Sequence, residues 1–123
     1  MITSAEFPHR LTGISDERAS LIEIKARFGC AIVGATLGAR GARIYCEGHF
    51  IESPAFEVPG GCRDTTGAGD AFHGGFIYGM LNNEDLETCM KFGNAVAALK
   101  CRSLGGRAAL PTVDELNEFL ESE

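Results

Sequence analysis

No stretch of this chain comes near the run of about 20 apolar residues that a membrane-spanning helix needs, so no membrane partner is expected. Basic residues are in short supply as well, with 11 Lys and Arg against 17 Asp and Glu and a net charge of −6. That balance argues against nucleic acid or an anionic membrane surface as a partner, and any phosphate site must be local. The first residues lack the basic-then-apolar layout of a secretory signal, which leads us to expect a cytoplasmic protein. Cys-x-x-Cys is missing too. The five cysteines, Cys30, Cys46, Cys62, Cys89 and Cys101, are odd in number and widely spaced, a pattern that suits reduced core thiols better than a disulfide framework or a metal cluster. Two nucleotide signatures are also wanting. There is no Gly-x-x-x-x-Gly-Lys-[Ser/Thr], which excludes a P-loop NTPase. Gly67-Ala68-Gly69-Asp70-Ala71-Phe72 places Phe where a dinucleotide-binding turn needs a third small residue, and an acid against the pyrophosphate.

What is present is centred on Asp64-Thr65-Thr66-Gly67-Ala68-Gly69-Asp70, which runs directly into Ala71-Phe72-His73-Gly74-Gly75-Phe76-Ile77. Gly67 and Gly69 allow a sharp turn and close approach to a ligand. The unpaired N–H groups of the helix that follows would face that ligand, aided by the positive end of its dipole. Asp70 would repel a phosphate bound there unless it holds or deprotonates a hydroxyl that attacks the phosphate. The combination reads as phosphoryl transfer to an alcohol.

The chain has 123 residues, 45% of them apolar, enough for one domain with a real core. Leu11-Thr12-Gly13 ends a short helical segment. Asp16–Phe28 reads as a helix capped by Asp16, with Leu21, Ile24 and Phe28 on its apolar face and Gly29 as its stop. The unbroken apolar run Cys30–Ala35 suits a central parallel strand buried on both faces. It delivers Thr36-Leu37-Gly38-Ala39-Arg40-Gly41 to the strand edge where open α/β sheets bind ligands. Gly38 and Gly41 fit either close approach to a ligand or a plain tight turn. Ala42–Glu47 and Phe50–Ser53 form an antiparallel pair around a turn at Gly48-His49, and Pro54 and Pro59 keep the next stretch at a sheet edge or out of it. The helix opened by Gly69 carries Ala71, Phe72, Gly75, Phe76, Gly79 and Met80 on one side. Gly74, Gly75 and Gly79 cost it about 1 kcal/mol each against Ala, which implies another element packed closely against it. His73, one position off that face, reads as a surface or supporting residue before a catalytic one. Asn82-Asn83 should end this helix and cap the next, Glu84–Arg102, with Leu86, Cys89, Met90, Gly93, Val96 and Ala97 inward. Ala95, Ala97 and Ala98 could leave room for a flat ring or serve helix packing. Thr112-Val113-Asp114-Glu115 is a capping box opening a last helix with Leu116, Phe119 and Leu120 apolar.

The Asp64–Asp70 motif and its Ala71–Ile77 continuation resemble the C-terminal signature of the ribokinase-like (PfkB-type) carbohydrate kinases. Thr36–Gly41 upstream, and Asn94–Ala98 through Leu104-Gly105-Gly106 to Leu110-Pro111-Thr112 downstream, fit the same family in the expected order. The resemblance spans essentially the whole chain but only the C-terminal part of the family's domain. It implies an α/β fold, the C-terminal part of a three-layer α/β/α sandwich over residues 1–123, without the N-terminal sugar-binding half and lid. It further implies ATP-dependent phosphorylation of a sugar hydroxyl. Asp70 would be the base, and the amides of Gly67, Ala68 and Gly69 the anion hole for the transferring phosphoryl group. Thr36, Gly38 and Gly41 would contact the phosphates and ribose of ATP, and Asn94 and Ala98 would border the adenine. Asp64 and the Thr66 carbonyl would match a monovalent-cation (K⁺) site, with carbonyls from Lys100, Ser103 and Gly105; Ala109 stands where the family often has a hydroxyl. For Mg²⁺, the family's Asn-x-x-Glu pattern is replaced by Ser4-Ala5-Glu6-Phe7, leaving Glu6 either to serve from a shifted position or to be an ordinary exposed carboxylate.

The substrate implied is a sugar or sugar phosphate whose readers lie in the absent half. Little or no kinase activity is expected of the chain alone, and the uncovered sheet edge and helix faces invite homodimerisation or association with an N-terminal half. The competing readings are a non-catalytic nucleotide-binding or assembly module, and a remnant that binds nothing.

Overall fold

The first half of the chain is built on a short apolar strand with no charged residue in it. In the computed structural model, which describes residues 1–58, 60–63, 67–102 and 111–122, β1 (Ile2–Ser4), β2 (Ile32–Thr36), β3 (Ala42–Cys46) and β4 (His49–Ser53) form one sheet in the order β1-β2-β3-β4. Helices α1 (Glu6–Thr12) and α2 (Glu17–Phe28) connect the first two strands. The wholly parallel environment expected for β2 is only half realised: it runs parallel to β1 and antiparallel to β3. The reason is local, because the connection through residues 37–41 is too short for a parallel crossover and turns the chain straight back. Strand β1 has no signature in the sequence, since three residues carry no readable periodicity. These elements form one compact unit, Met1–Ser53, and Pro54–Glu123 forms a second.

Helix α2 begins and ends as its sequence dictates. The Asp16 carboxylate accepts a bond from the Ala19 amide at 2.8 Å, and Gly29 closes the helix in the left-handed region. Leu21 and Ile24 are buried against Val33, with Leu11, Cys30, Tyr45 and Phe50 around them. Phe28, expected on this face, is exposed at the helix's last residue. The β3–β4 turn uses Glu47 and Gly48, both at positive φ, so His49 is an exposed first residue of β4 rather than part of the turn.

Above these packed residues runs a line of charges. Glu17 accepts from Arg40 at 2.6 Å and from Arg43 at 2.8 Å, and Glu52 accepts from Arg43 at 2.9 Å and from Arg18 at 2.7 Å. Arg43 is the sheltered member, its side chain only 14% exposed, and Arg18 also lies over the Phe50 ring. Bonds from Arg40, then Arg43, hold the Glu17 carboxyl below its usual range, and bonds from Arg18 and Arg43 do the same for Glu52.

In the second unit, α3 (Ala68–Leu81) and α4 (Leu86–Lys100) pack along a seam of glycines, and α5 (Val113–Ser122) lies against α4. A Cβ at Gly75 would sit 2.6 Å from the Phe92 carbonyl oxygen, one at Gly79 would meet Cys89 at 2.8 Å, and one at Gly93 would strike the Phe72 ring at 2.7 Å. The close packing read from the sequence is therefore real at Gly75 and Gly79. Gly74 takes no part in it, since a Cβ there meets nothing within 4 Å. Met80, expected inward, is exposed. Asn82 does end α3, but Asp85 rather than Asn83 caps α4, accepting from the Thr88 amide at 2.8 Å, while Asn83 takes a left-handed turn. The capping box of α5 forms in both directions, Glu115 N–H to Thr112 Oγ1 and Thr112 N–H to Glu115 Oε1, each at 3.2 Å. Leu116 joins Ala95 and Leu99 in a core flanked by Phe56, Tyr78 and Phe119. Of the five cysteines only Cys89 and Cys101 are buried; Cys62 is exposed, and all are free thiols.

Two pairs of measurements test this account. Gly75→Ala should lower stability by about 1–3 kcal/mol in chemical denaturation, because its methyl meets backbone rather than a yielding side chain. Gly74→Ala should raise stability by about 0.5–1 kcal/mol, as for an exposed helical glycine. The folded-state values of Glu17 and Glu52 lie below the ordinary 4.5, so their stabilising contribution is present above that pH and is lost as pH falls through the lowered values. Melting temperature should therefore drop between pH 5 and pH 3 more steeply in the wild type than in Arg43→Gln, which lacks the residue joining both carboxylates; equal slopes would refute this.

Candidate active site

The N-terminus of α3 is set by one backbone angle. Gly67 adopts φ 76°, a left-handed conformation that glycine takes without strain, and carries no side chain to cap the helix. The first helical bond runs from the Ala71 amide to the Gly67 carbonyl at 2.9 Å. The amides of Ala68, Gly69 and Asp70 precede that bond and have no acceptor within the helix. Gly69 is helical in conformation, so its lack of a side chain answers to space rather than to backbone geometry. A Cβ there would project into a region with no atom within 4 Å. Asp70 follows in the first turn and is exposed, not turned into the core. A carboxylate at this position is favoured by the positive end of the helix. The helix amides of Ala68, Gly69 and Asp70 thus stand in sequence after the turn at Gly67, beside one acid.

Asn94 and Ala98 lie one turn apart on α4, each 5% exposed. Ala95 is fully buried with Leu99 and Leu116, so that alanine serves helix packing. His73 is half-buried, its ring edge-on to Phe72 with centroids 6.3 Å apart.

In the first unit, Thr36 closes β2, and its hydroxyl donates to the Thr3 carbonyl at 3.4 Å. The following loop is fastened to itself: the Leu37 amide donates to Gly41 O at 2.7 Å, Gly41 to Gly38 O at 3.0 Å, and Arg40 to Leu37 O at 3.2 Å. Gly38 (φ 60°) and Gly41 (φ 92°) both occupy positive φ, so the turn requires them whether or not a ligand approaches. The bond from Arg40 to Glu17 was not legible in the sequence, where the two residues are 23 positions apart.

Of the residues matched to a monovalent-cation site, Asp64, Thr66, Ser103 and Gly105, together with Ala109, lie outside the described residues. Lys100 is described, wholly buried at the end of α4. One contact bears on them: the Arg63 amide donates to the Cys101 carbonyl at 2.8 Å. It places the residue before Asp64 against the residue after Lys100, two positions far apart in sequence. For a divalent metal the donor set is poor. Among the described residues no group of three His, Cys, Asp or Glu stands together. Glu6 is an exposed side chain on α1 paired with Arg10 at 3.2 Å. Among the described residues, too, no helix is long and apolar enough to cross a membrane.

Known proteins resemble this chain in sequence and fold. A model of the pfkB family of carbohydrate kinases matches residues 5–113. A ribokinase of Haemophilus influenzae is 35% identical over 116 residues, covering 90% of this chain and 37% of that protein. An ATP-dependent ribose-1-phosphate kinase of Halopiger xanaduensis is 36% identical over 109 residues, 85% of this chain and 36% of that one. Among solved structures, a fructokinase from Vibrio cholerae O395 with fructose, ADP and calcium bound superposes with a TM-score of 0.86 at 33% identity, covering 97% of this chain and 40% of that one. An aminoimidazole riboside kinase from Salmonella enterica, complexed with its riboside and an ATP analogue, gives 0.84 at 31% identity, covering 97% of this chain and 41% of that chain. The chain thus spans 37% of the ribokinase it matches, and its mixed α/β architecture is part of the ribokinase-like fold. It belongs to the pfkB family of carbohydrate kinases.

Proposed function

We propose that this chain carries the phosphate-side machinery of an ATP-dependent sugar kinase, with Asp70 as the base. The observation that carries the reading is the exposed Asp70 carboxylate in the first turn of α3, directly after the left-handed Gly67 and the open space at Gly69. Asp70 accepts the proton of the acceptor hydroxyl, making its oxygen the nucleophile. The amides of Gly67, Ala68 and Gly69 receive the negative charge of the phosphoryl group in transit, already oriented before the reaction. The group comes from the γ-position of ATP, whose bond to the β-phosphate oxygen breaks as the acceptor oxygen bonds to phosphorus, and ADP leaves. Catalysis of this class is mostly positioning and electrostatics, so one carboxylate and a row of amides suffice. Thr36, Gly38 and Gly41 hold the phosphates and ribose, and Asn94 with Ala98 borders the adenine. Asp64 and the Thr66 carbonyl, with those of Lys100, Ser103 and Gly105, would hold a monovalent cation that orders the anion loop. No step is assigned to Mg²⁺, because the described residues offer it no gathered ligands.

The substrate class is a sugar or sugar phosphate, as in the names of the relatives. Turnover by the chain alone is negligible in this reading, and activity requires a segment equivalent to the remainder of those longer kinases or a second copy. One feature favours a second reading, a non-catalytic nucleotide-binding module. Ser4 and Phe7 stand where the family pattern has Asn and Glu, and Glu6 is occupied by Arg10.

The two readings separate on reconstitution. The chain is mixed with the N-terminal segment of the Haemophilus influenzae ribokinase, and ADP release is followed with ribose as acceptor. We expect turnover that Asp70→Asn lowers about a hundredfold to ten-thousandfold, with ATP affinity by calorimetry unchanged. ATP binding without turnover in either protein would establish the second reading. Absence of ATP binding would defeat both.

A further inference from the structure

We propose that Glu17 and Arg40 are a positioning pair for the loop Thr36–Gly41, clamping it to the first turn of α2 so that it meets the nucleotide in one orientation. The inference rests on the reading of that loop as a nucleotide contact, and adds to it two residues of which one lies on a different element.

The internal bonds of the loop fix its shape but not its inclination to the sheet. They use the amides of Leu37, Arg40 and Gly41. The amides of Gly38 and Ala39 take no part in those bonds and remain at the exposed tip, where a phosphate would approach. A five-residue connection between β2 and β3, with glycines at positive φ at two of its positions, has little stiffness of its own against rocking. Arg40 supplies the restraint. Its two terminal nitrogens reach both oxygens of Glu17, at 2.6 and 3.4 Å, a two-point contact that fixes direction as well as distance.

Glu17 is itself anchored twice over. It is the first residue of α2, where the helix dipole favours a carboxylate. One of its oxygens also accepts from Arg43 at 2.8 Å. Arg43, mostly buried on β3, is in turn bonded to Glu52 on β4, which also accepts from Arg18. The tip of the loop is thereby tied through one carboxylate to a helix and two strands. An isolated exposed pair would contribute little, but here one partner is already immobilised, so only Arg40 has to be ordered.

The pair has a second consequence for charge. With Glu17 bound, the Arg40 guanidinium is engaged away from the loop tip and is not the group that meets the phosphates. Direct contact and positioning therefore predict different outcomes.

The test is calorimetric titration of the intact chain with ATP, together with hydrogen exchange of the Gly38 and Ala39 amides without ligand. Arg40→Gln and Glu17→Gln should each weaken ATP binding about threefold to fivefold, and the double variant should be no weaker than either single one, because both remove one contact. Exchange at Gly38 and Ala39 should speed up in each. Arg40→Lys, which keeps the charge but not the two-point contact, should fall between. Weakening by Arg40→Gln but not by Glu17→Gln would overturn the proposal and assign Arg40 to direct phosphate contact. Unchanged affinity in both would overturn it as well. Should Glu17→Gln lower the melting temperature of the unit, Arg40→Gln still decides the matter through the exchange readout, since it leaves the Glu17–Arg43 bond intact. A wild-type chain that binds no ATP would instead refute the nucleotide reading of the loop, a result distinct from wild-type binding that both variants preserve.

Discussion

The second unit depends on backbone meeting backbone where Gly75 faces Phe92 and Gly93. Helices normally stand apart by the thickness of their side chains; removing those side chains along one seam lets α3 and α4 come into direct contact. The glycines cost helical stability, about 1 kcal/mol each. They are offset by what the seam encloses: Phe72, 2% exposed, lies over Gly93 and stacks on Phe76, and such a ring contributes about 2–3 kcal/mol when fully buried. The arrangement also fixes the axis of α3. A helix locked this way presents its N-terminal amides in a single direction, and a site built on such a rigid element keeps its geometry better than one on a free loop.

Local signals in the sequence translated faithfully. Asp16 capped α2, Gly29 stopped it, and Thr112 with Glu115 formed both bonds of the capping box. These succeed because cap and partner are only three or four residues apart, so nothing distant can overrule them. Failures occurred where a distant partner decides. Strand β2 was read as parallel throughout because its apolar run says that it is buried but not which neighbour lies on each side. Gly74 shares in the composition argument for close packing, yet one step along a helix from Gly75 turns a residue by about 100° and away from α4. Asn83 took a left-handed turn and passed the cap to Asp85, a competition between two good candidates that spacing alone does not resolve.

Legibility at the candidate site follows the same division. The stretch Gly67–Asp70 could be read because its residues are contiguous and each does something local: Gly67 turns, Gly69 leaves space, Asp70 carries the charge. Gly38 and Gly41 were ambiguous for a physical reason. The turn needs both at positive φ, so their presence alone does not separate a bend from a binding loop. The residues that steady this loop, Glu17 and Arg40, had no signature at all, since an acid at the start of a helix is common and its partner lies across the unit.

The bond from the Arg63 amide to the Cys101 carbonyl has a topological consequence. It closes the chain between those residues into a ring that contains the Gly67–Asp70 edge and both glycine-seamed helices. Inside such a ring the two ends cannot fray separately: loosening the exit of α4 also frees the entry to α3. Cohesion at the far end of α4 is therefore felt at the mouth of α3 through the backbone itself.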